Sequence, residues 1–391
     1  MTNTQTNKLP RRGSPRVAPG RGGGRAKWWS AAGRAVSPES GIKRAQAPEG
    51  RHILRTALLV CAALTLLARP LPAAEPDTVT IDPDTESVIH GALTYLAGQQ
   101  GLNGSWTQAP GSNAYPVAMT GYALMAFLST GNLPGQGEFG HNVTAGMQYL
   151  LNQIQPAGIF RDVDQGKYMY SHGIAAVALC ELYGETRSQL LRQRLVQLVG
   201  VIVNGQSPVG GWRYKPGAQD SDISITVLQV AALRAAKNAG LSVPQLTIDR
   251  ATDFISQCYN QSDGGFAYQP GKPTGFARTA AAIYSLQLCG KYDDPSVKTG
   301  SDYILAHGDD SQQWWPYGCY YAASAEYMIG GEPWRQWYTR MKSELLSTAI
   351  REGDATHWDT KRAAQLGPTY DTAVFTTVLA MPLHYIPLYQ R

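Results

Sequence analysis

One short pattern returns about every fifty residues, and it restricts this 391-residue chain more than any single motif does. Gln100-Gly101-Leu102-Asn103-Gly104-Ser105-Trp106 comes back as Gln206-Ser207-Pro208-Val209-Gly210-Gly211-Trp212, with Gln, Gly and Trp at the same spacing. Trimmed copies stand at Gln155-Pro156-Ala157-Gly158-Ile159-Phe160 and Gln261-Ser262-Asp263-Gly264-Gly265-Phe266, and Gln312-Gln313-Trp314-Trp315 keeps fragments. A Gly/Pro-rich loop and then an Ala-rich apolar stretch follow each copy. Aligned on Thr120, His172, Thr226, Thr279, Tyr321 and Thr372, these stretches recur at spacings of 52, 54, 53, 42 and 51 residues. A unit of this size cannot bury its apolar face alone, so neighbouring units must stack and share one core.

Ahead of the copies, residues 88–99, 144–154, 190–203 and 248–259 place apolar side chains at three- and four-residue steps, the helical period. Each unit therefore reads as helix, loop, helix. Six such pairs can stack as an open array or close into a ring. Ala- and Gly-rich inner stretches such as 173–179 and 279–283 suit close packing around a centre, and no atypical polar unit ends the array as an open solenoid requires. The expected fold is all-α: a single α/α toroid of six outer and six inner helices over about residues 84–385, within a domain 84–391. The Gln-Gly-Trp turn has a local reason. Gly permits the turn after the outer helix, the indole covers the helix end, and the Gln amide satisfies free backbone groups.

The chain is 43% hydrophobic and 16% charged, which excludes a disordered polymer, a coiled coil or a disulfide miniprotein. Its net charge of +5 is unevenly spread: residues 1–55 hold 12 Lys/Arg against 2 Asp/Glu, a balance of +10, which leaves −5 for residues 56–391. The basic character thus belongs to a leader, and nucleic acid is not an expected partner of the body. Residues 1–50 lack periodicity and read as a disordered tail or a misassigned start. Residues 51–74 read as a signal peptide: Arg51 and Arg55, then 13 uncharged residues from 56 to 68, then Leu71-Pro72-Ala73-Ala74 with cleavage after Ala73 or Ala74. The apolar stretch falls short of the roughly 20 residues a membrane span needs, so no stable transmembrane helix is expected after cleavage. Export to the periplasm or cell envelope follows. Cys61 leaves with the signal; Cys180 and Cys289, on apolar stretches, read as small buried hydrophobes, and no cysteine belongs to a metal-type cluster.

The repeated Gln-Trp turns resemble those of the squalene-hopene cyclase and protein prenyltransferase superfamily, and the likeness covers nearly the whole mature chain. Gly210-Gly211-Trp212-Arg213-Tyr214, Trp315-Pro316-Tyr317-Gly318-Cys319-Tyr320-Tyr321-Ala322-Ala323 and the ending from Pro382 to Arg391 also resemble exported single-domain prenyltransferase/squalene oxidase repeat proteins of bacteria. The resemblance implies one barrel where hopene cyclases have two. Their acid motif is Asp, any residue, Asp, Asp; here it stands as Asp220-Ser221-Asp222-Ile223, with Ile in the third acid position. Asp222 inherits the proton donor's place and Asp220 the first acid's. The zinc site of the prenyltransferases is not assembled by any spacing here, although Asp302, His307 and Cys319 lie near one another in sequence, so neither metal nor cofactor is expected. The reactive Gly-Cys-Gly-Glu-Gln of the related thioester domains is absent.

Inner-helix starts open onto one end of a ring, where a site is most economically built. Tyr168, Tyr170, His172, Asp220, Asp222, Arg278, Tyr317, Tyr320, Tyr321, Tyr370 and Asp371 fall at or just before them. Protonating an alkene needs a carboxylic acid held neutral, with aromatic faces for the carbocation and water excluded. Structural readings stand beside these: helix N-caps for Asp222 and Asp371, a plain loop acid for Asp220, a satisfied polar residue for His172 and an ion-pair partner for Arg278. Trp314 and Trp315 read as substitutes for the missing Gln-Trp packing. Three functional classes fit. They are an isoprenoid cyclase or isoprenoid- or lipid-handling toroid, a non-catalytic binding or scaffold ring with an unidentified protein partner, and a glycan-active enzyme pairing Asp222 with Asp371 across the cavity.

Overall fold

The computed structural model describes residues 79–108, 115–161, 167–308, 314–361 and 366–390, all inside the compact unit that spans 72–391. Residues 1–50 and 51–74, read from the sequence as a disordered leader and a signal peptide that includes Cys61, and the Gln312-Gln313 fragment lie outside the described residues.

Twelve α-helices are described, and they alternate between two layers. The outer helices are α1 (Pro83–Gln99), α3 (Gly140–Gln153), α5 (Gln189–Asn204), α7 (Gln245–Gln257), α9 (Pro295–His307) and α11 (Gly331–Thr348). The inner helices are α2 (Pro116–Ser129), α4 (Tyr168–Thr186), α6 (Ile223–Asn238), α8 (Phe276–Leu288), α10 (Trp315–Ile329) and α12 (Gly367–Leu379). Every residue of α2 from Val117 to Ser129 is buried, whereas α7 buries only Thr247, Ala251, Phe254 and Ile255. The inner helices are therefore enclosed on all sides and the outer ones present a stripe to the core, as their compositions require. Each inner helix packs on the next in order, and α12 packs on α2, so the ring is closed.

The Gln-Trp turn performs the local task its composition suggests. Trp106 and Trp212 are fully buried, and each indole N–H donates to the last turn of the outer helix before it, at Leu96 O (2.6 Å) and Ile202 O (2.8 Å). Their backbone N–H groups donate to Thr120 Oγ1 and Thr226 Oγ1 on the inner helix that follows. Gln100 Nε2 donates to Gly104 O and Asn142 O, and Gln206 Nε2 to Gly210 O and Thr247 O, which ties each turn to the next outer helix. Gly104 and Gly210 have φ of 86° and 102°, and a Cβ there would stand 2.4 and 2.3 Å from the carbonyl oxygens of Ala145 and Arg250. Only glycine allows both the backbone angle and the approach.

The joint between the last and first units is built differently. A short hairpin, β1 (Ile350–Glu352) with β2 (Ala355–His357), follows α11, and β2 packs on α1. Thr356 occupies the space beside Gly91, where a Cβ would meet Thr356 Oγ1 at 2.4 Å. Lys342 bonds Asp82 at 2.8 Å, Arg351 bonds Asp84 at 3.1 Å, and His357 stacks on Tyr95 with ring centroids 4.7 Å apart. Lys342, with the Thr85 backbone N–H, holds the Asp82 carboxyl far below the ordinary carboxylate range. Among the described residues Cys180, Cys258 and Cys319 are buried and Cys289 is half-buried.

Candidate functional site

Outer and inner helices alternate along the chain, so the six inner N-termini share one end of the ring. At that mouth Asp222 is the N-cap of α6: Oδ1 accepts from the Ile225 backbone N–H at 3.0 Å and from Ser224 Oγ at 2.6 Å. Its other oxygen, Oδ2, accepts from Arg213 Nη1 at 2.8 Å. The carboxylate is fully buried, while the Arg213 side chain keeps 22% of its surface exposed and its Nε lies 3.3 Å from the exposed Asp220. The guanidinium lies against two aromatic faces, 4.5 Å from the Tyr214 ring and 5.5 Å from the Tyr268 ring. These two tyrosines bond through their hydroxyls at 2.8 Å, and Arg213 Nη1 also donates to Tyr268 Oη. Tyr170 on α4 bonds Ser224 Oγ at 2.6 Å, and Tyr317 on α10 donates to Ser224 O at 3.3 Å. One network thus joins three inner helices and two loops around Asp222.

Below the mouth the axis is filled by tyrosine rings. Tyr122 meets Tyr370 edge-on at 4.9 Å and Tyr320 at 5.8 Å; Tyr321 meets Tyr317 at 4.7 Å, Tyr320 at 5.2 Å and Tyr284 at 5.9 Å. Burial raises these phenols, Tyr320 to about 12, so they are neutral hydrogen-bonding groups at any physiological pH. The two cavities described both lie near the other end of the ring, beside residues 381–390.

The structure brings Asp222, Asp220, Tyr170 and Tyr317 together at the mouth, and Tyr320, Tyr321 and Tyr370 along the axis below it. Three candidates are placed elsewhere. Arg278 folds back on its own loop and donates to the carbonyls of Pro273 and Thr274. Asp371 is not the N-cap of α12, which is Leu366; it lies in the second helical turn. There its Oδ2 accepts from the backbone N–H and hydroxyl of Thr360, at 2.8 Å each, while burial raises the carboxyl to about 6.

His172 stands in the ring wall, facing the outer helix α5. It occupies the slot where other units carry the threonine that holds the Trp backbone. Its Nε2 donates to Leu198 O at 3.1 Å, so Nδ1 is the free lone pair and accepts from Tyr168 Oη at 2.7 Å. That hydroxyl in turn accepts from the Phe160 backbone N–H at 3.2 Å. Histidine and tyrosine together replace one threonine, because Phe160 sits two residues closer to the inner helix than Trp106 or Trp212 does. Burial lowers the imidazole to about 4, against an ordinary value of 6.5. The unfolded chain takes up a proton over that interval and the folded ring does not, so stability is lost as pH falls from about 6.5 to about 4. The loss approaches about 3 kcal/mol at the acid end. Urea midpoints measured across this interval should show the slope, and His172→Gln should flatten it.

Sequence reasoning missed Arg213, Tyr214 and Tyr268 as site residues. The signal was present: Arg213 and Tyr214 follow directly on Trp212. It also missed a third tryptophan turn, one that lacks the Gln. Trp358 is buried, donates its indole N–H to Leu345 O at 2.9 Å, and has its backbone N–H on Thr372 Oγ1 at 3.2 Å. The spacing of 14 residues from Trp358 to Thr372 equals that from Trp106 to Thr120 and from Trp212 to Thr226. Trp315 is buried against Phe375, whereas Trp314 is 46% exposed. Among the described residues no group of three or more His, Cys, Asp or Glu could hold a metal ion, and no helix is long and apolar enough to cross a membrane.

A closed ring of six helical hairpins, with Trp106, Trp212 and Trp358 each bonded to an outer and an inner helix, defines the class: an α/α toroid. Solved structures of the same class include the α-1,6-mannanase GH76A of Salegentibacter sp. HEL1_6, with a TM-score of 0.58 at 8% identity, covering 77% of this chain and 99% of that one. The cellobiose 2-epimerase of Bacillus thermoamylovorans aligns with a TM-score of 0.55 at 14% identity, over 76% and 97% of the two chains. A variant of the type II terpene cyclase MstE from Scytonema, bound to geranylgeranyl dihydroxybenzoate, aligns with a TM-score of 0.51 at 14% identity, over 77% and 98%. At these identities the likeness is one of fold. The chain belongs to the prenyltransferase α/α toroid family, whose sequence model matches residues 60–243 and 117–313. No curated protein matches the sequence.

Proposed function

We propose that this ring is a non-catalytic binding protein of the cell envelope, and that its ligand seats at the mouth against Tyr214, Tyr268, Tyr170 and Tyr317 beside Arg213. One observation carries this reading: both oxygens of Asp222 are committed inside the protein. An acid that protonates an alkene must present a proton to the substrate, whereas Asp222 accepts two neutral hydrogen bonds on one oxygen and a guanidinium on the other. A glycosidase pair needs two available carboxylates, and with Asp222 committed, Asp371, whose Oδ2 is held by Thr360, is left without its partner.

The mouth suits a small ligand with flat faces and hydroxyls, and a sugar ring is the first class to test. Aromatic faces supply apolar area, and tyrosine hydroxyls and the guanidinium edge supply fixed hydrogen bonds. Two toroids of similar fold act on saccharides, the mannanase and the epimerase named above. A second reading, isoprenoid binding, is favoured by the aromatic column of Tyr122, Tyr320, Tyr321 and Tyr370, and the toroid bound to geranylgeranyl dihydroxybenzoate shares the fold.

The deciding experiment is native mass spectrometry of the protein purified from an envelope fraction, with organic extraction, followed by calorimetric titration of oligosaccharides. The expected result is saccharide binding that weakens at least tenfold in Tyr268→Ala and persists in Asp222→Asn. A co-purifying isoprenoid that Asp222→Asn no longer converts would overturn the binding-protein reading in favour of a cyclase.

A further inference from the structure

The ring's other end is closed by the chain itself. Beyond α12 a turn at Met381–Leu383 leads to His384, whose φ of 61° is left-handed, and the chain then returns across the inner-helix C-termini as a 3₁₀ turn, Pro387–Tyr389. That turn touches α6 and α10, which are not neighbours in the ring. Ile386, Leu388 and Tyr389 are buried, and Tyr389 Oη bonds Tyr320 Oη at 2.8 Å. The Leu388 backbone N–H donates to the carboxyl of Glu181, near the end of α4.

Glu181 is itself buried and lines a cavity of about 220 Å³ together with Glu185, Leu128, Leu133, Ile386 and Pro387. The ionisable groups around it are Glu185 on its own helix, Tyr284 from α8, Tyr320 from α10 and Tyr389 from the returning segment. Each of these is neutral or negative. A charge placed on Glu181 therefore meets apolar walls and a second carboxylate; Arg234 on α6 acts on the neighbouring Tyr284, and among the described residues no cation acts on Glu181 itself. Burial first, and then Glu185, raise the carboxyl from 4.5 to about 8, against the Leu388 N–H, which favours the charged form.

We propose that residues 386–390 form a releasable plug seated over the neutral Glu181 carboxyl, and that ionisation of Glu181, whose charge cannot be hydrated while the plug covers it, frees the plug and opens this end of the ring. With the plug seated the carboxyl resists losing its proton; with the plug out, water reaches it and the proton is lost freely. Proton release is thus coupled to opening. The seated state is fully favoured below the carboxyl's ordinary pKa of 4.5 and loses ground as pH rises towards about 8, where the effect levels off.

Hydrogen exchange on the full chain reads this directly. The protection of the amides of Ile386, Leu388, Tyr389 and Gln390, normalised to an unstructured peptide at the same pH, should fall at least tenfold from about pH 5.5 to about pH 8.5, with a ceiling of tenfold per pH unit between the two pKa values. Amides of α2 should keep their protection, which separates plug release from unfolding. In Glu181→Gln, whose amide oxygen can still accept from Leu388, the pH dependence should vanish. Should that variant not fold, Glu185→Gln serves instead: with the neighbouring carboxylate gone, the levelling-off should move to lower pH. Unchanged plug protection in the natural sequence, an equal fall in Glu181→Gln, or an unmoved curve in Glu185→Gln would overturn the proposal.

Discussion

Replacing Trp358 by alanine is expected to lower the stability of the ring by about 4 kcal/mol, within the range of about 3–5 kcal/mol for a buried indole. Two losses combine. The indole is buried between α11 and α12, with an edge contact to Phe375 at 5.7 Å between centroids, and its N–H bonds Leu345 O; the backbone N–H on Thr372 Oγ1 survives in alanine. Trp314→Ala is the matched control, since 46% of that residue is exposed, and it should shift stability by about 0.5 kcal/mol or less. Urea unfolding followed by circular dichroism separates the two. Equal effects would mean that Trp358 does not serve as a turn of the Gln-Trp kind.

The second large effect is at Asp222. Asp222→Ala removes an N-cap, worth about 1 kcal/mol, and leaves the Arg213 guanidinium without its buried partner. A buried pair broken on one side costs about 3–5 kcal/mol, less here because Arg213 is partly exposed and Asp220 stands 3.3 Å from its Nε. The expected total is about 3 kcal/mol. Asp222→Asn keeps the oxygen that caps Ile225 and gives up only the charge, so about 1 kcal/mol is expected. A double-mutant cycle with Arg213→Ala isolates the pair: a coupling near zero would remove the ion pair from the account of the mouth.

The general plan of the ring was legible in the sequence because it rests on short-range rules repeated six times. Gln, Gly and Trp recur in register, and the Ala-rich stretches carry a helix period, so two layers and closure could be read without tertiary knowledge. Legibility failed where one unit solves the common problem with other residues. His172 with Tyr168 does the work of a threonine, and in the sequence a histidine at a helix start is indistinguishable from a site residue. Trp358 went unread because no Gln precedes it; the hairpin Ile350–Glu352 with Ala355–His357 stands in that place, and three-residue strands leave little periodic signal. At the mouth, the acid motif pointed to Asp222, but its hydrogen bonds depend on Arg213, nine residues upstream, and on Tyr268 from the next unit. The returning segment at 386–390 was invisible for the same reason: its partners lie on α4, α6 and α10, far away in sequence.

The seam between α11, the hairpin and α1 carries a topological meaning. The other five joints of the ring are enforced by chain continuity, and this one is held by the packing of α12 on α1 and α2, Thr356 against Gly91, two ion pairs and a stacked His357. A circle has no first member, so what the fold requires is the cyclic order of hairpins rather than their position along the polypeptide. A permuted chain, joined across the seam and cut in the exposed turn at Gly135, would keep every inner contact and exchange only which joint is left to side chains. The strength of that one uncovalent joint then decides whether the same twelve helices make a closed vessel or an open arc.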